Sequence, residues 1–594
     1  MKKLLTLAVA ALMTVSLAGC GSSKAENKLV VGQDKMNGEF IEGFGNNSYD
    51  KSIRDLIHGY NPIIVDNDGN IKWETKVTLK GEPAVKNNKD GSKTFTVTLN
   101  DGLKWNDGKP VTANDYVMTY LMRASKSWID ANGNPTGYEI EGYDAFSAGK
   151  TETFSGVKMI DDHSFSITIA AKNLPYYWEK NFLWSYPLPA HVVAKDVKIT
   201  SDDKGAKIAK KDQAAIADYV KNTFLKNPTV TCGPYKFEGF KNQQVQLTLN
   251  KEYAGNWEGK KPSIEKITVK AIDMDKDVDT LVAGEVDIVA GAIEAEKIDK
   301  VKAQGDKFTI SSYPRNGYGN VPISCYYGAT KDVNVRQALA YIVDTNKIAQ
   351  AAMGAYGKPC YSDYGAAQKV YIDNKEWVDK NLNTYSFSIA NANKALDKSD
   401  YKYEKDGKTP FDAKKASKDY LRYNSKGEVL LISHLGSEKN TITDNIKLQL
   451  TKNAPQVGIK YEITVKDFET MLNIYYQKQK AEVKYNVYNM ASGFNEVPDP
   501  EADYHGKYEK VANFNPYGLN DAELNKAIEN LKASKDEKEF SENWKAYQKR
   551  WNYLLPTIPT YTNDYYDFAA SKVKGFKTTP FRDWANSICN FSIE

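Results

Sequence analysis

The sequence predicts an α/β protein of several domains, each built on a mixed sheet flanked by helices. Three observations predict it. The chain has 594 residues, 41% of them hydrophobic and 26% charged, enough to bury more than one core. Residues 95–124 read as strand, turn, extended segment, turn and capped helix. Residues 231–290 read as a hairpin followed by strand, helix and strand, the order that lays helices on a mixed sheet.

In chain order, Met1-Lys2-Lys3 is a short basic start, and residues 4–17 are apolar and end in small side chains. That run is short for a membrane span and reads as a secretion signal. Leu17-Ala18-Gly19-Cys20 has the form of a bacterial lipobox, which makes 1–19 a signal peptide and Cys20 the lipidated first residue of the mature chain. Residues 20–28 are small and polar, a tether that reaches at most about 25 Å when extended. One acyl chain holds a membrane marginally, whereas two or more hold firmly. The expected place is therefore extracytoplasmic, on the outer face of the cytoplasmic membrane, at the cell surface or in the periplasm. No other segment reads as a membrane span.

Lys+Arg (80) and Asp+Glu (76) nearly cancel, leaving no basic field for nucleic acid. Besides Cys20 there are Cys232, Cys325, Cys360 and Cys589, far apart and without CxxC or metal-ligand spacing. Export permits disulfides, but the spacing pairs none of them, and they read as buried free thiols. His58, His163, His191, His434 and His505 share no motif, and no GxSxG, HExxH or glycine-rich phosphate loop is present. His191 reads as a capping or core residue. No catalytic residue, metal site or cofactor is assigned.

The elements follow from local pattern. Residues 29–32 form a short strand, and the loop 43–48 (GFGNNS) leads into a helix carrying Ile53, Leu56 and Ile57. Residues 61–69 turn and hand over to a strand at 72–79. Phe95, Val97 and Leu99 alternate with threonines, the period of a half-buried strand. Thr112 and Asp115 form a capping box, and Val117, Tyr120, Leu121 and Ala124 give the helix one apolar face. Residues 133–150 are a Gly- and Tyr-rich excursion, whose Tyr138, Tyr143 and Phe146 either line a pocket or pack locally. An alternating strand at 164–169 precedes a proline-rich return crossing from Leu174.

Beyond the 231–250 hairpin, strands at 267–272 and 286–290 flank a helix at 278–283 that Gly284 stops. A third unit opens with a strand at 321–327 and an amphipathic helix over 333–342. Residues 373–428 have few apolar anchors and read as surface helices and an insertion. Strand character returns at 428–432, 461–465 and 483–490. Phe540, Trp544, Tyr547, Trp551 and Leu554 share one face of a helix that Pro556 ends, and 558–562 carry the chain back to the first domain.

The string GLKWNDGKPVTANDYVMTY, residues 102–120, closely resembles the signature of the family 5 extracellular solute-binding proteins, which feed peptides and nickel to ABC importers. LPYYWEKNFLWSYPLPAHVVAK, GPYKFEGF, NKEYAGNW, LVAGEVDI and VRQALAYIVD are similar to text of the same family. The resemblance implies a periplasmic-binding-protein-like type II fold, with two hinged lobes built from three domains. Residues 29–72, 185–315 and 560–594 would be domain I, 73–184 domain II and 316–559 domain III. Domains I and II would form one lobe and domain III the other, with ligand bound between them.

Peptide-binding members place an acidic residue four positions before a proline, where it pairs with the ligand's α-amino group. Here that residue is Glu496, before Pro500. Many relatives have aspartate there, and tryptophan where Gly493 stands. The ligand-binding candidates are therefore Gly493, Phe494, Asn495 and Glu496, with Tyr138, and with Asn46 and Asn47 in the loop that faces ligand in the family. Asn46 and Asn47 also read as turn formers, and Glu496 as a solvated loop residue. The resemblance implies a monomeric receptor that captures oligopeptide and docks on ABC permease subunits, held to the membrane by its lipid. The other readings are a binder of nickel chelate, haem or oligosaccharide, the last suggested by 39 tyrosines, or a receptor for signalling peptides. A surface hydrolase would need a catalytic constellation that the sequence does not show.

Overall fold

The structure, a computed structural model, describes residues 27–476, 484–494, 497–510 and 514–594. It is built on two bodies. The N-terminal body carries a seven-stranded sheet in the order Tyr235–Lys241, Gln244–Leu249, Lys266–Ala271, Lys28–Gln33, Ile288–Ala292, Asp564–Ala570 and Phe308–Pro314. Lys28–Gln33 lies between two parallel neighbours, with Val31 opposite Val269 on one side and Ile288 on the other. Strands covered on both faces need continuous apolar runs, and Leu29 and Val31 are fully buried. The hairpin and the three-strand edge are antiparallel, so the sheet is mixed as expected. Its β–α–β unit is present, with the helix Asp277–Val282 ended by Gly284 at φ +75°. The last strand starts two residues later than the sequence pattern suggests, at Ile288.

A four-stranded antiparallel sheet, Ala84–Asn87, Lys93–Thr98, Ser164–Ile169 and Val157–Met159, forms the far part of the N-terminal body. Phe95 faces Ile167 and Val97 faces Phe165 across it. The helix Ala113–Ala124 packs beneath, started by Thr112 and by Asp115, which accepts from the Thr112 backbone N–H at 2.8 Å. The helix is buried on nearly every side rather than on one apolar face. The segment after Leu183 covers its second side, where Leu188 N–H donates to Thr119 Oγ1 at 2.9 Å. One continuous core joins this region to Ile41, Phe44, Tyr60 and Ile63 beside the seven-stranded sheet.

The C-terminal body holds two three-stranded sheets. Met490–Gly493, Gly317–Pro322 and Thr557–Tyr561 are antiparallel, and Lys460–Lys466, Leu431–Ser437 and Val487–Tyr488 are parallel. The strand expected at 321–327 is Gly317–Pro322, because Ser324 and Cys325 turn their N–H groups to Asn486 and Tyr517 instead of a ladder. Residues 558–562 also differ from expectation: Thr557–Tyr561 pairs within this body, and the chain returns only with Asp564–Ala570. The helix Glu537–Leu554 buries Phe540, Trp544, Tyr547, Trp551 and Leu554 on one face, as its periodicity requires.

The chain crosses between bodies at two adjacent points, 315–316 and 562–563. Arg315 N–H donates to the Asn563 carbonyl at 2.9 Å, and Lys358 pairs with Asp564 at 2.7 Å. Among the described residues no helix is long and apolar enough to cross a membrane. Cys232 and Cys360 are buried free thiols, whereas Cys325 and Cys589 are half-buried.

Candidate functional site

A cavity of about 1180 Å³ lies between the bodies and is walled by both. Its first wall begins at the helix Ser48–Ile57. Asn47 starts that helix by accepting from Tyr49 N–H (2.7 Å) and Asp50 N–H (3.2 Å) with its side chain. The helix ends where His58 turns extended, and the chain then runs along the cavity through Tyr60 and Asn61. Lys51 and Asp55, one turn apart on the helix, pair at 2.6 Å. Burial pushes the Asp55 carboxyl up to about 6 against the pull of Lys51.

The second wall comes from Arg123, in the last turn of Ala113–Ala124, and from Tyr138, Glu139 and residues 172–186. Glu42 stands between two guanidiniums, 3.6 Å from Arg54 and 4.0 Å from Arg123. Burial lowers His58 to about 4, aided by the Arg54 and Arg123 charges, so its ring is neutral near pH 7. Burial likewise raises Glu139 to about 7.

The C-terminal body supplies Asp499, Glu501, Lys507, Lys532 and their neighbours. Glu501 binds Lys507 at 2.5 Å and also Lys532. These two bonds hold its carboxyl below the ordinary range although burial opposes them. Lys532 lies over the Tyr176 ring of the opposite body, 5.3 Å from its centre. Burial and the Asp499 charge hold the Tyr176 hydroxyl well above its usual range. Beside the cleft the bodies touch directly. Tyr177 N–H donates to the Lys532 carbonyl at 2.7 Å, and the Tyr177 ring stacks on Phe540 at 4.4 Å and 18°.

The arrangement suits non-covalent capture of a ligand carrying both charges and apolar surface. The wall histidine, His58, sits 3.3 Å from the Phe40 carbonyl by its Nε2. The wall thiol, Cys589, is pushed up to about 12, with burial the main cause. Neither is an activated base or nucleophile.

Of the candidates from sequence, Tyr138 lines the cavity with its ring exposed. Gly493 and Phe494 line a smaller neighbouring cavity of about 80 Å³, and Val497 and Asp499 border both cavities. A Cβ built on Gly493 meets nothing within 4 Å, so this wall stands open. Under the small cavity the buried Asp363 carboxylate accepts three tyrosine hydroxyls, from Tyr318 (2.7 Å), Tyr504 (3.0 Å) and Tyr547 (2.5 Å). Asn46 is exposed and Asn47 caps its helix, and neither borders the cleft. Asn495, Glu496 and Cys20 lie outside the described residues.

Sequence reading missed Asp499, Glu501, Lys507, Lys532 and Arg123. Only Arg123 left a signal, a cation in the otherwise apolar last turn of a helix.

The family model of the bacterial extracellular solute-binding proteins, family 5, matches residues 78–515. The chain belongs to this family. The oligopeptide-binding protein AppA of Bacillus subtilis (strain 168) is 22% identical over 606 residues, covering 98% of this chain and 97% of AppA. The oligopeptide-binding protein OppA of the same strain is 25% identical over 319 residues, which span about half of each protein, 51% and 52%. The structure of AppA in complex with a nonapeptide superposes with a TM-score of 0.63 at 18% identity, over 96% of this chain and 99% of that one. The type II periplasmic-binding-protein fold is thereby established.

Proposed function

We propose that this family member is a lipid-anchored receptor that captures peptides outside the cell and delivers them to an ABC importer. The cavity carries the reading. About 1180 Å³ bounded by both bodies exceeds the roughly 300–1,000 Å³ of a small-molecule pocket. Its walls combine charges of both signs with Tyr138, Tyr176 and Trp184, surfaces that suit an amphoteric chain. Met490–Gly493 lies at the edge of its sheet, where backbone groups can take an added strand without reading side chains. The relatives named above are oligopeptide-binding proteins, which agrees with this assignment.

In this reading the body containing 29–72, 73–184, 185–315 and 563–594 is one lobe and 316–562, which keeps Thr557–Tyr561 in its own sheet, the other. The pair of crossings at 315–316 and 562–563 serves as hinge. Glu496, four residues before Pro500, pairs with the ligand's α-amino group as the lobes close. Cys20 carries the lipid that keeps the receptor beside its permease.

Native mass spectrometry of the purified protein, followed by calorimetric titration with a peptide library, tests this. Peptides should co-purify, bind one per chain and remain uncleaved. A co-purified sugar or metal chelate with no peptide bound, or cleavage abolished by one substitution, would overturn it.

A further inference from the structure

We infer that the wall of the cavity around Arg123 and Asn61 is a subsite for a carboxylate of the ligand. The inference rests on the peptide reading and adds to it which group the N-terminal body selects.

Two donors there are buried without acceptors. Arg123 is 8% exposed, and its Nε finds no hydrogen-bond partner among the described residues. Its countercharge, Glu42, stands 4.0 Å away, beyond hydrogen-bond reach. That same carboxylate also serves Arg54 at 3.6 Å. One anion is thus shared between two guanidiniums, and His58 beside them is neutral. Among the described residues that carboxylate is the one ion-pair partner within 4.0 Å of either guanidinium.

Asn61 is 7% exposed. Its Oδ1 accepts from Ile63 N–H (3.0 Å) and Ser185 N–H (3.5 Å), while its Nδ2 finds no acceptor. Buried polar groups are nearly always satisfied, and leaving them unpaired is costly. Arg123 and Asn61 border the same cavity. Donors kept unpaired in a cleft wall fit acceptors that arrive with the ligand, and a guanidinium with no carboxylate in hydrogen-bond reach favours an anionic one.

Other charges on these elements are already matched. Asp55 is held by Lys51, and Glu74 accepts the N–H groups of Lys76, Val77 and Thr78. Glu42 is the group that competes with a ligand carboxylate for Arg123.

The test uses two substitutions that act in opposite directions. Glu42→Gln removes the competitor, and Asn61→Asp keeps Oδ1 while replacing the donor by an anion. Parent and variants are titrated calorimetrically with pentaalanine, its C-terminal amide, the amide of Ala-Ala-Glu-Ala-Ala, and citrate. A charge-assisted bond lost on amidation should weaken parent binding about ten- to hundredfold. Glu42→Gln should widen the gap between acid and amide, and Asn61→Asp should close it. A purely structural role for Glu42 would not produce tighter binding.

If the glutamate-containing amide binds as the free acid does, a side chain supplies the carboxylate; if it binds as the plain amide does, the C-terminus does. Equal affinity for acid and amide in the parent and in Glu42→Gln overturns the subsite and leaves the peptide reading standing. If no peptide binds in any form, the peptide reading falls and citrate decides the subsite. Binding that Glu42→Gln tightens supports it, and none overturns it.

Discussion

Tyr177 offers the most direct probe of whether the two bodies part when ligand leaves. It belongs to the N-terminal body, yet its ring stacks on Phe540 of the other, 4.4 Å away, and packs against that body's core. The aromatic pair is worth about 1 kcal/mol beyond area. Removing roughly 50 Å² of buried apolar surface adds about 1.2 kcal/mol at ~25 cal/mol per Å². Tyr177→Ala therefore loses about 2 kcal/mol, made only when the bodies meet. If the free protein is mainly open, the whole of this falls on closure, and peptide affinity drops about thirtyfold. The melting temperature without ligand should shift by less than about 1 °C, because neither core is altered. Calorimetric titration measures the first quantity and scanning calorimetry the second. Unchanged affinity, or a ligand-free melting point several degrees lower, refutes the reasoning: the contact would be either worthless or permanent.

Three further outcomes follow from the same reading. Cys20→Ala should release the mature protein from membranes, checked by fractionation, and a variant that stays bound places the anchor elsewhere. Glu496→Gln should weaken free peptide roughly a hundredfold or more, since breaking a desolvated ion pair costs about 3–5 kcal/mol; N-acetylated peptide should bind the parent equally poorly, and the two changes should be less than additive. Glu139, raised to about 7 by burial, holds its proton in the folded protein at a pH where the unfolded chain has released it. Its contribution is therefore destabilising, growing from about pH 4.5 to 7 and constant above. Thermal unfolding of Glu139→Gln across pH 4–8 should show a shallower loss of stability with rising pH, and a parallel curve would contradict the assignment.

Much of the fold was legible because its signals are local. The alternation of Phe95 and Val97, the Thr112–Asp115 box and the five-residue apolar face of Glu537–Leu554 each lie within one element. Asn47 too obeyed a local rule, and that rule was helix capping rather than recognition. What failed depended on partners far along the chain. Thr119 is buried where a segment more than sixty residues later crosses the helix and donates to its hydroxyl. The cleft was least legible for the same reason. Glu42 meets Arg123 only once the N-terminal body has folded, and Tyr176 meets Lys532 only after the two bodies assemble, and no periodicity records such meetings. Glu496 was found through resemblance, while Asp499, three residues on, came from the structure.

The strand order of the large sheet also bears on how the molecule comes into being. Asp564–Ala570 lies between Ile288–Ala292 and Phe308–Pro314, with ladders on both sides. Residues 315–563, nearly all of the second body, intervene in the chain. During synthesis the two flanking strands emerge together and wait for a partner that leaves the ribosome hundreds of residues later. Until it arrives, one sheet edge is unpaired and the core around Phe568 and Ala569 lacks its central side chains. Topology thus delays completion of the N-terminal body until almost the whole chain is available.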